Sequence, residues 1–416
     1  MRRASLAGLI MFFMLLPWNT AWAGPSEGAL LSLLPPQEAT GALLTRGGFA
    51  VMLAAAARIK SEGDDPVLPA DVPADSWYAR ALQALWREGY IQGYPYGRLR
   101  PEQEITNLEA AIMTARALGL PNEINAPTDE LPPQKDIPYG FNQYAFLQRH
   151  GLLPPGEPMA VLTPAAAAKW LAEVFGSDAR ARDFVEKCRQ ALAAQQKIAT
   201  RGKIGLHLKS RPGLPFTEEI DRQAVTGEVV SEVVLPGQVY QAVDFKLEGG
   251  KTLHLEQFAE DGSLYRRIAE NPGKTGEWEK LNRAPDVTYV MRQQQNLGLP
   301  AGLFPYLRYR FLGTSRIADQ EVLGISFYTR TYSPSWPGTS PVPFFPGEGL
   351  GAYFNQPPQP IRSLSYWGVI YLEPRTYLPV KSGVNLIMAF NPPNPGQPAP
   401  VAAMELYYQV DVYRFR

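Results

Sequence analysis

The sequence predicts a multidomain protein, a helical N-terminal half followed by an α+β half built on a large antiparallel sheet. Three observations carry this. The chain of 416 residues exceeds the span of one ordinary core. Near residue 197 the pattern changes, from alanine-rich helical stretches between Pro/Gly loops to period-two alternation of Val, Tyr, Leu and Phe. A segment of the helical half also recurs in order along the chain.

Residues 1–23 read as a secretory signal peptide. Arg2 and Arg3 precede the apolar run Leu6 to Leu16, Pro17 ends it, and Ala21-Trp22-Ala23 offers small residues for cleavage before Gly24. The run is shorter than the roughly 20 residues a helix needs to cross a bilayer, and no later stretch is apolar enough to span. Export therefore places the chain outside the cytoplasm as a secreted or cell-surface protein.

Composition narrows the partners. Lys plus Arg and Asp plus Glu both number 40. Cleavage would remove two arginines, leaving 38 basic residues against 40 acidic ones, a net charge of −2. A balanced surface excludes nucleic acid, whose phosphates need a basic stripe. The lone Cys188 forbids an intramolecular disulfide and reads as a buried small residue in a helix. The 40 prolines, ~2-fold above average usage, gather in loops at 334–360 and 392–400.

The helices follow in order: Gly48 to Lys60, Trp77 to Gly89, Asn107 to Gly119, Phe141 to His150, Pro164 to Phe175, then a connecting helix from Ala179 to Gln196. The most complete repeat runs Asp71-Val72-Pro73, Trp77-Tyr78, Gly89, Gly93-Tyr94, Leu99-Arg100-Pro101 and Ile105-Thr106. Its first helix sets Trp77, Ala81 and Leu85 on one stripe. Gly89 ends that helix and Gly93 allows a tight turn. Thr106 N-caps the second helix, with Glu109 completing a capping box. A fainter copy spans Asp136 to Phe175. The second half alone appears at Leu44-Thr45-Arg46, which leaves the first unit without its front helix.

This series resembles the surface-layer-homology (SLH) repeat. The resemblance implies three units, at 24–66 (truncated), 67–124 and 125–178 (degenerate), with 179–196 as a connecting helix and 197–416 as a separate domain. In that family three repeats form a pseudo-trimer that grips secondary cell-wall polysaccharide, often pyruvylated. The implied wall-polymer-binding residues are Thr45, Arg46, Trp77, Gly93, Tyr94, Arg100, Thr106 and Asn107. The family's Ile-Thr-Arg-Ala-Glu motif keeps its arginine only at Arg46; Asn107 and Pro164 stand at the matching positions. Free N–H groups at a helix start and a guanidinium fork suit a carboxylate. Thr106 and Thr163 read first as N-caps, and Arg46 as a ligand contact.

In the second half the strand candidates are Ile204 to Lys209, Val225 to Leu235, Tyr240 to Leu247, Thr252 to Phe258, Glu321 to Tyr328, Trp367 to Leu372, Leu378 to Phe390 and Met404 to Phe415. Asp286 to Leu297 is the plausible helix among them. Tyr366-Trp367-Gly368-Val369-Ile370-Tyr371, a turn on Pro374, and Thr376-Tyr377-Leu378-Pro379-Val380 are similar to the lipoprotein-carrier (LolA-like) superfamily and its Gram-positive secreted relatives. The family's Ile-Asp is Leu372-Glu373 here. The resemblance implies a curved half-barrel whose concave face takes lipid or another apolar ligand. Val243, Phe245, Leu247, Leu253, Leu255, Leu386, Met388 and Phe390 would line that face, or else form an ordinary closed core.

No catalytic or metal motif stands out. His150, His207 and His254 have no zinc-ligand spacing, and there is neither a Gly-x-Ser-x-Gly elbow nor a phosphate loop. No cofactor is expected and no carboxylate pair can be named. Three readings stay open: a wall-anchored, non-enzymatic binder of lipid or lipoprotein; a wall-anchored structural module with exposed loop aromatics (Trp336, Phe344, Phe345, Tyr353, Phe354); and a wall-anchored hydrolase.

Overall fold

A computed structural model describes residues 24–59, 69–120, 137, 139–210, 224–234, 238–246, 252–260, 263–270, 276–281, 307–332, 361–391 and 401–416. The signal segment, the helix expected at 286–297, the aromatic loop at 334–360 and Leu247 lie outside the described residues.

The helical half contains α1 (Glu27–Leu31), α2 (Pro36–Ala39), α3 (Arg46–Ala56), α4 (Ala79–Arg87), α5 (Asn107–Ala117), α6 (Phe141–Arg149) and α7 (Pro164–Phe175). Thr45, Thr106 and Thr163 each N-cap the long helix of their unit, and at Thr106 the capping box with Glu109 is complete. Gly48 at the matching N3 position has no side chain. Glu38 from α2 instead accepts from the Thr45 backbone N–H at 3.0 Å and its hydroxyl at 2.6 Å.

Each front helix packs on the long helix of its neighbour: α4 on α3, α6 on α5, and α1 on α7. The expectation that the first unit lacks a front helix is thereby corrected. The five-residue α1 takes that place, burying Leu30. It is too short to carry an amphipathic period, so the pattern conceals it. Where the units meet, Leu44 N–H donates to Leu162 O (3.0 Å), Ile105 N–H to Leu44 O (3.0 Å), and Leu162 N–H to Ile105 O (2.9 Å), a closed ring of backbone bonds.

The second half forms an 11-stranded antiparallel sheet in the order β6-β5-β4-β3-β2-β1-β11-β10-β9-β8-β7. Its strands are β1 (Lys197–Ser210), β2 (Ala224–Val234), β3 (Gln238–Lys246), β4 (Thr252–Glu260), β5 (Ser263–Glu270), β6 (Glu279–Leu281), β7 (Arg308–Ile317), β8 (Gln320–Tyr332), β9 (Ile361–Leu372), β10 (Pro379–Phe390) and β11 (Val401–Phe415). The first and last strands pair at the centre, so two meanders run outward to the edges β6 and β7.

The expected connecting helix, α8 (Ala179–Ala193), is more than a connector. Its Phe184, Val185, Cys188 and Leu192 are buried in one core with the sheet. Asp178 N-caps α8 and also reaches the edge strand β7, accepting from Phe311 N–H at 3.2 Å. A carboxylate is thus spent on an edge that would otherwise present an unpaired N–H.

The opposite face of β7–β10 carries the helical half. Tyr328, Trp367 and Ile387 belong to the helical core. The C-terminal carbonyls of the helices, orphaned by geometry, are met by donors from the sheet. Arg330 donates to Arg116 O and Ala117 O at 3.1 Å each, the Tyr328 hydroxyl to Val174 O at 2.5 Å, and Arg308 to Phe175 O at 3.2 Å. Gly119, at φ +86°, approaches so closely that a Cβ there would meet Ser365 Oγ at 1.8 Å. Strands β8 and β9 are therefore covered on both faces.

Candidate functional site

Of the sequence-implied binding residues, Arg46, Tyr94 and Arg100 come together at the junction of the first two units, while Thr106 and Asn107 face the third. Arg46 opens α3 and is 7% exposed. Its Nε donates to Leu99 O at 3.0 Å and its Nη1 pairs with Glu109 Oε1 at 2.8 Å and reaches the Tyr94 hydroxyl at 3.1 Å. Among the described residues nothing engages Nη2. Tyr94 also donates to Glu109. Burial first, and that bond second, push its phenol up to about 12, so it stays protonated and donating. The Arg46 and Arg100 guanidiniums both lie over the Tyr94 ring, 4.8 and 4.2 Å from its centre.

The rest of the loop is held by backbone chemistry. Arg100 adopts a left-handed φ of 51° and is fixed by Asp71, whose carboxylate accepts from Leu99 N–H (3.1 Å) and Arg100 N–H (2.7 Å). Gly93 sits at φ +72°, where a Cβ would come within 2.8 Å of Arg98 O; its role is the turn. Trp77 is 41% exposed and meets Tyr78 edge-on at 5.5 Å. Tyr139 from the third unit is half-exposed, and its phenol is raised by burial first and by Glu109 second.

One expectation is overturned. The starts of α3 and α5 offer no free N–H group to an anion, because the adjoining unit takes them. Arg46 N–H donates to Gln103 O (2.8 Å) and Gly47 N–H to Pro101 O (2.8 Å), while Asn107 N–H donates to Ala160 O (2.9 Å) and Leu108 N–H to Pro158 O (2.8 Å). Asn107 is buried, its Nδ2 donating to Pro155 O and Glu157 O at 2.9 Å each. Thr45 and Thr106 are spent as caps. What remains for a ligand is side-chain chemistry: Arg46 Nη2, Arg100, Tyr139 and the Trp77 ring.

Against this geometry, the family model described as the S-layer homology domain matches residues 70–111. Residues 70–111 are an S-layer homology domain. The match covers the Asp71 clamp, Gly93-Tyr94 and the Thr106 cap of the SLH unit. The chain is also similar to outer membrane protein SlpA of Deinococcus radiodurans, 44% identical over 66 residues, which is 15% of this chain and 6% of that protein. The chain thus spans a small fraction of that relative's length. The SLH domain places the protein at the cell envelope.

In the second half, Val243, Phe245, Leu253, Leu255, Leu386 and Met388 are all 1–7% exposed. With the partly buried Phe390 they share one core with α8. Similar solved structures include LprF from Mycobacterium bovis (10% identical, covering 56% of this chain and 92% of that one, TM-score 0.29). They also include LppX from Mycobacterium tuberculosis (9%, 56% and 94%, 0.25). A third is a putative outer membrane lipoprotein-sorting protein domain from Vibrio parahaemolyticus (10%, 57% and 93%, 0.22).

Among the described residues no helix is long and apolar enough to cross a membrane, and no group of three His, Cys, Asp or Glu side chains is placed to hold a metal ion.

Proposed function

We propose that this is a non-catalytic cell-surface protein anchored to wall polysaccharide by three SLH repeats arranged as a pseudo-trimer. The observation that supports it most is the closed ring of Leu44, Ile105 and Leu162, reinforced by the cyclic packing of α4 on α3, α6 on α5 and α1 on α7. Three like units around one axis leave three grooves between neighbours, and the first is the best equipped. Arg46 and Arg100 would meet a carboxylate such as pyruvyl, and Trp77 would pack against a sugar face. Thr45, Gly93 and Thr106 shape the groove, and Asn107 braces the second against the third unit.

The test is sedimentation of the chain from Gly24 with purified cell walls. Trp77→Ala and Arg100→Ala are expected to lower the bound fraction without moving the thermal midpoint, since both side chains are largely free of the core. Wild-type binding by both variants would rule this groove out.

For the β-unit we propose a LolA-like half-barrel that holds lipid or another apolar ligand against Val243, Phe245, Leu253, Leu255, Leu386, Met388 and Phe390. Their burial also favours a second reading, a closed-core structural module. Native mass spectra of the whole chain, purified without detergent, separate the two: a lipid-sized adduct lost on denaturation supports the first, a bare mass the second.

A further inference from the structure

The sheet face that carries the helical half over β7–β10 continues, uncovered by it, over β3–β6. There Tyr240 stands opposite Phe258, Phe258 opposite Tyr265, and Tyr265 opposite Lys280, so aromatic rings follow one another across adjacent strands. Phe258 and Tyr265 stack at 4.6 Å, and Trp278 meets Phe258 edge-on at 4.8 Å. The neighbouring row is polar. Glu256, buried, accepts from the Tyr240 hydroxyl at 2.8 Å and pairs with Arg267, whose guanidinium lies 4.7 Å from the Trp278 ring centre.

These contacts pre-organise the surface. One buried carboxylate fixes Tyr240 and Arg267, and Arg267 in turn fixes Trp278. The two rings at the ends of this chain are nonetheless open, Tyr240 at 38% and Trp278 at 41% exposure. Bond donation from Arg267 and Tyr240 keeps Glu256 below the usual carboxylate range, so the arrangement stays charged and paired at neutral pH. Beside it His254 Nδ1 lies 2.6 Å from Asp244 Oδ1.

We propose that this face is a saccharide-binding surface for a neutral glycan strand of the cell wall. A pyranose offers C–H faces that pack on aromatic rings and a rim of hydroxyls that need fixed donors and acceptors; the face supplies both. Acidic Asp244 and Glu256 share the face with basic Lys246, Arg267 and Lys280, so it has no dominant sign to select a polyanion. A protein hot spot also uses Trp, Tyr and Arg, but around a dry apolar centre; here the centre is an ion pair. That the glycan belongs to the wall rests on the anchoring reading above.

The test uses the whole chain from Gly24 and chitohexaose, a β-1,4-linked N-acetylglucosamine hexamer, followed by calorimetry. Wild type is expected to bind it, Trp278→Ala to weaken binding about tenfold or more, and Arg316→Ala, exposed on the opposite edge strand β7, to leave it unchanged. Tyr240→Phe, which keeps the ring and loses the bond to Glu256, is expected to fall between. No binding of chitohexaose, or equal binding by wild type and folded Trp278→Ala, overturns the proposal. So does Trp278-dependent binding to walls that disappears after protease treatment, which would make the occupant a protein. None of these outcomes bears on Trp77-dependent sedimentation, so the two readings fail separately.

Discussion

Arg46 of the first unit closes on Glu109 of the second at 2.8 Å, with both side chains about nine-tenths buried. The same Glu109 carboxylate completes its own helix cap by accepting from Thr106 N–H at 3.1 Å. One residue therefore caps the start of a helix, neutralises the arginine and orients Tyr94. The groove and the junction between units are built from the same atoms.

Removing one partner leaves the other charge buried. Glu109→Gln is expected to lower the unfolding free energy by about 3–5 kcal/mol, and Arg46→Ala by a similar amount. The double variant Arg46→Met, Glu109→Leu recovers part of the loss, because no unpaired charge remains. Urea unfolding of the three variants measures this, and it also shows why exposed Trp77 and Arg100 probe ligand binding more cleanly than Arg46.

The helical half and the sheet are expected to unfold together. Trp367 stacks on Tyr328 at 5.0 Å and meets Phe146 edge-on at 5.0 Å, so a sheet residue sits within the helical core. Calorimetry should show one transition for the whole chain. Trp367→Ala should lower its stability by about 3–5 kcal/mol, and Arg330→Ala by about 1.5–3 kcal/mol through the uncapped carbonyls of α5. Two resolved transitions in wild type would contradict this.

Much of this was legible beforehand. The long helices, the central strands and the Thr106 capping box follow from period and cap chemistry. The docking of the two halves did not emerge, although a signal existed. Ser363 to Ile370 and Val322 to Thr329 carry no charged residue, whereas a strand with one solvated face would; both runs are buried on both faces. The Arg46–Glu109 pair joins residues far apart in sequence, and Glu109 already had a local explanation as a cap. Neither β6, with three residues, nor α1, with five, carries enough pattern to be read.

Acid should loosen the same interface. His150 is buried between Phe146 and Trp367, with Nδ1 2.7 Å from Ser326 Oγ. Burial first, and Arg149 second, lower its pKa to about 3 from 6.5. The folded protein thus stays unprotonated where the unfolded chain takes up a proton. This contribution is complete above about pH 6.5 and is lost as pH falls toward 3, by about 1.4 kcal/mol per pH unit. Urea midpoints at pH 7, 6 and 5 should fall along this slope, and His150→Gln should remove that part of it whatever its absolute stability.

The most direct test of wall anchoring is sedimentation of the chain from Gly24 with purified walls, before and after chemical removal of the secondary polysaccharide. The account predicts binding to intact walls, a marked drop on stripped walls, and the same drop on intact walls for Trp77→Ala. Equal sedimentation of wild type with intact and stripped walls would contradict it.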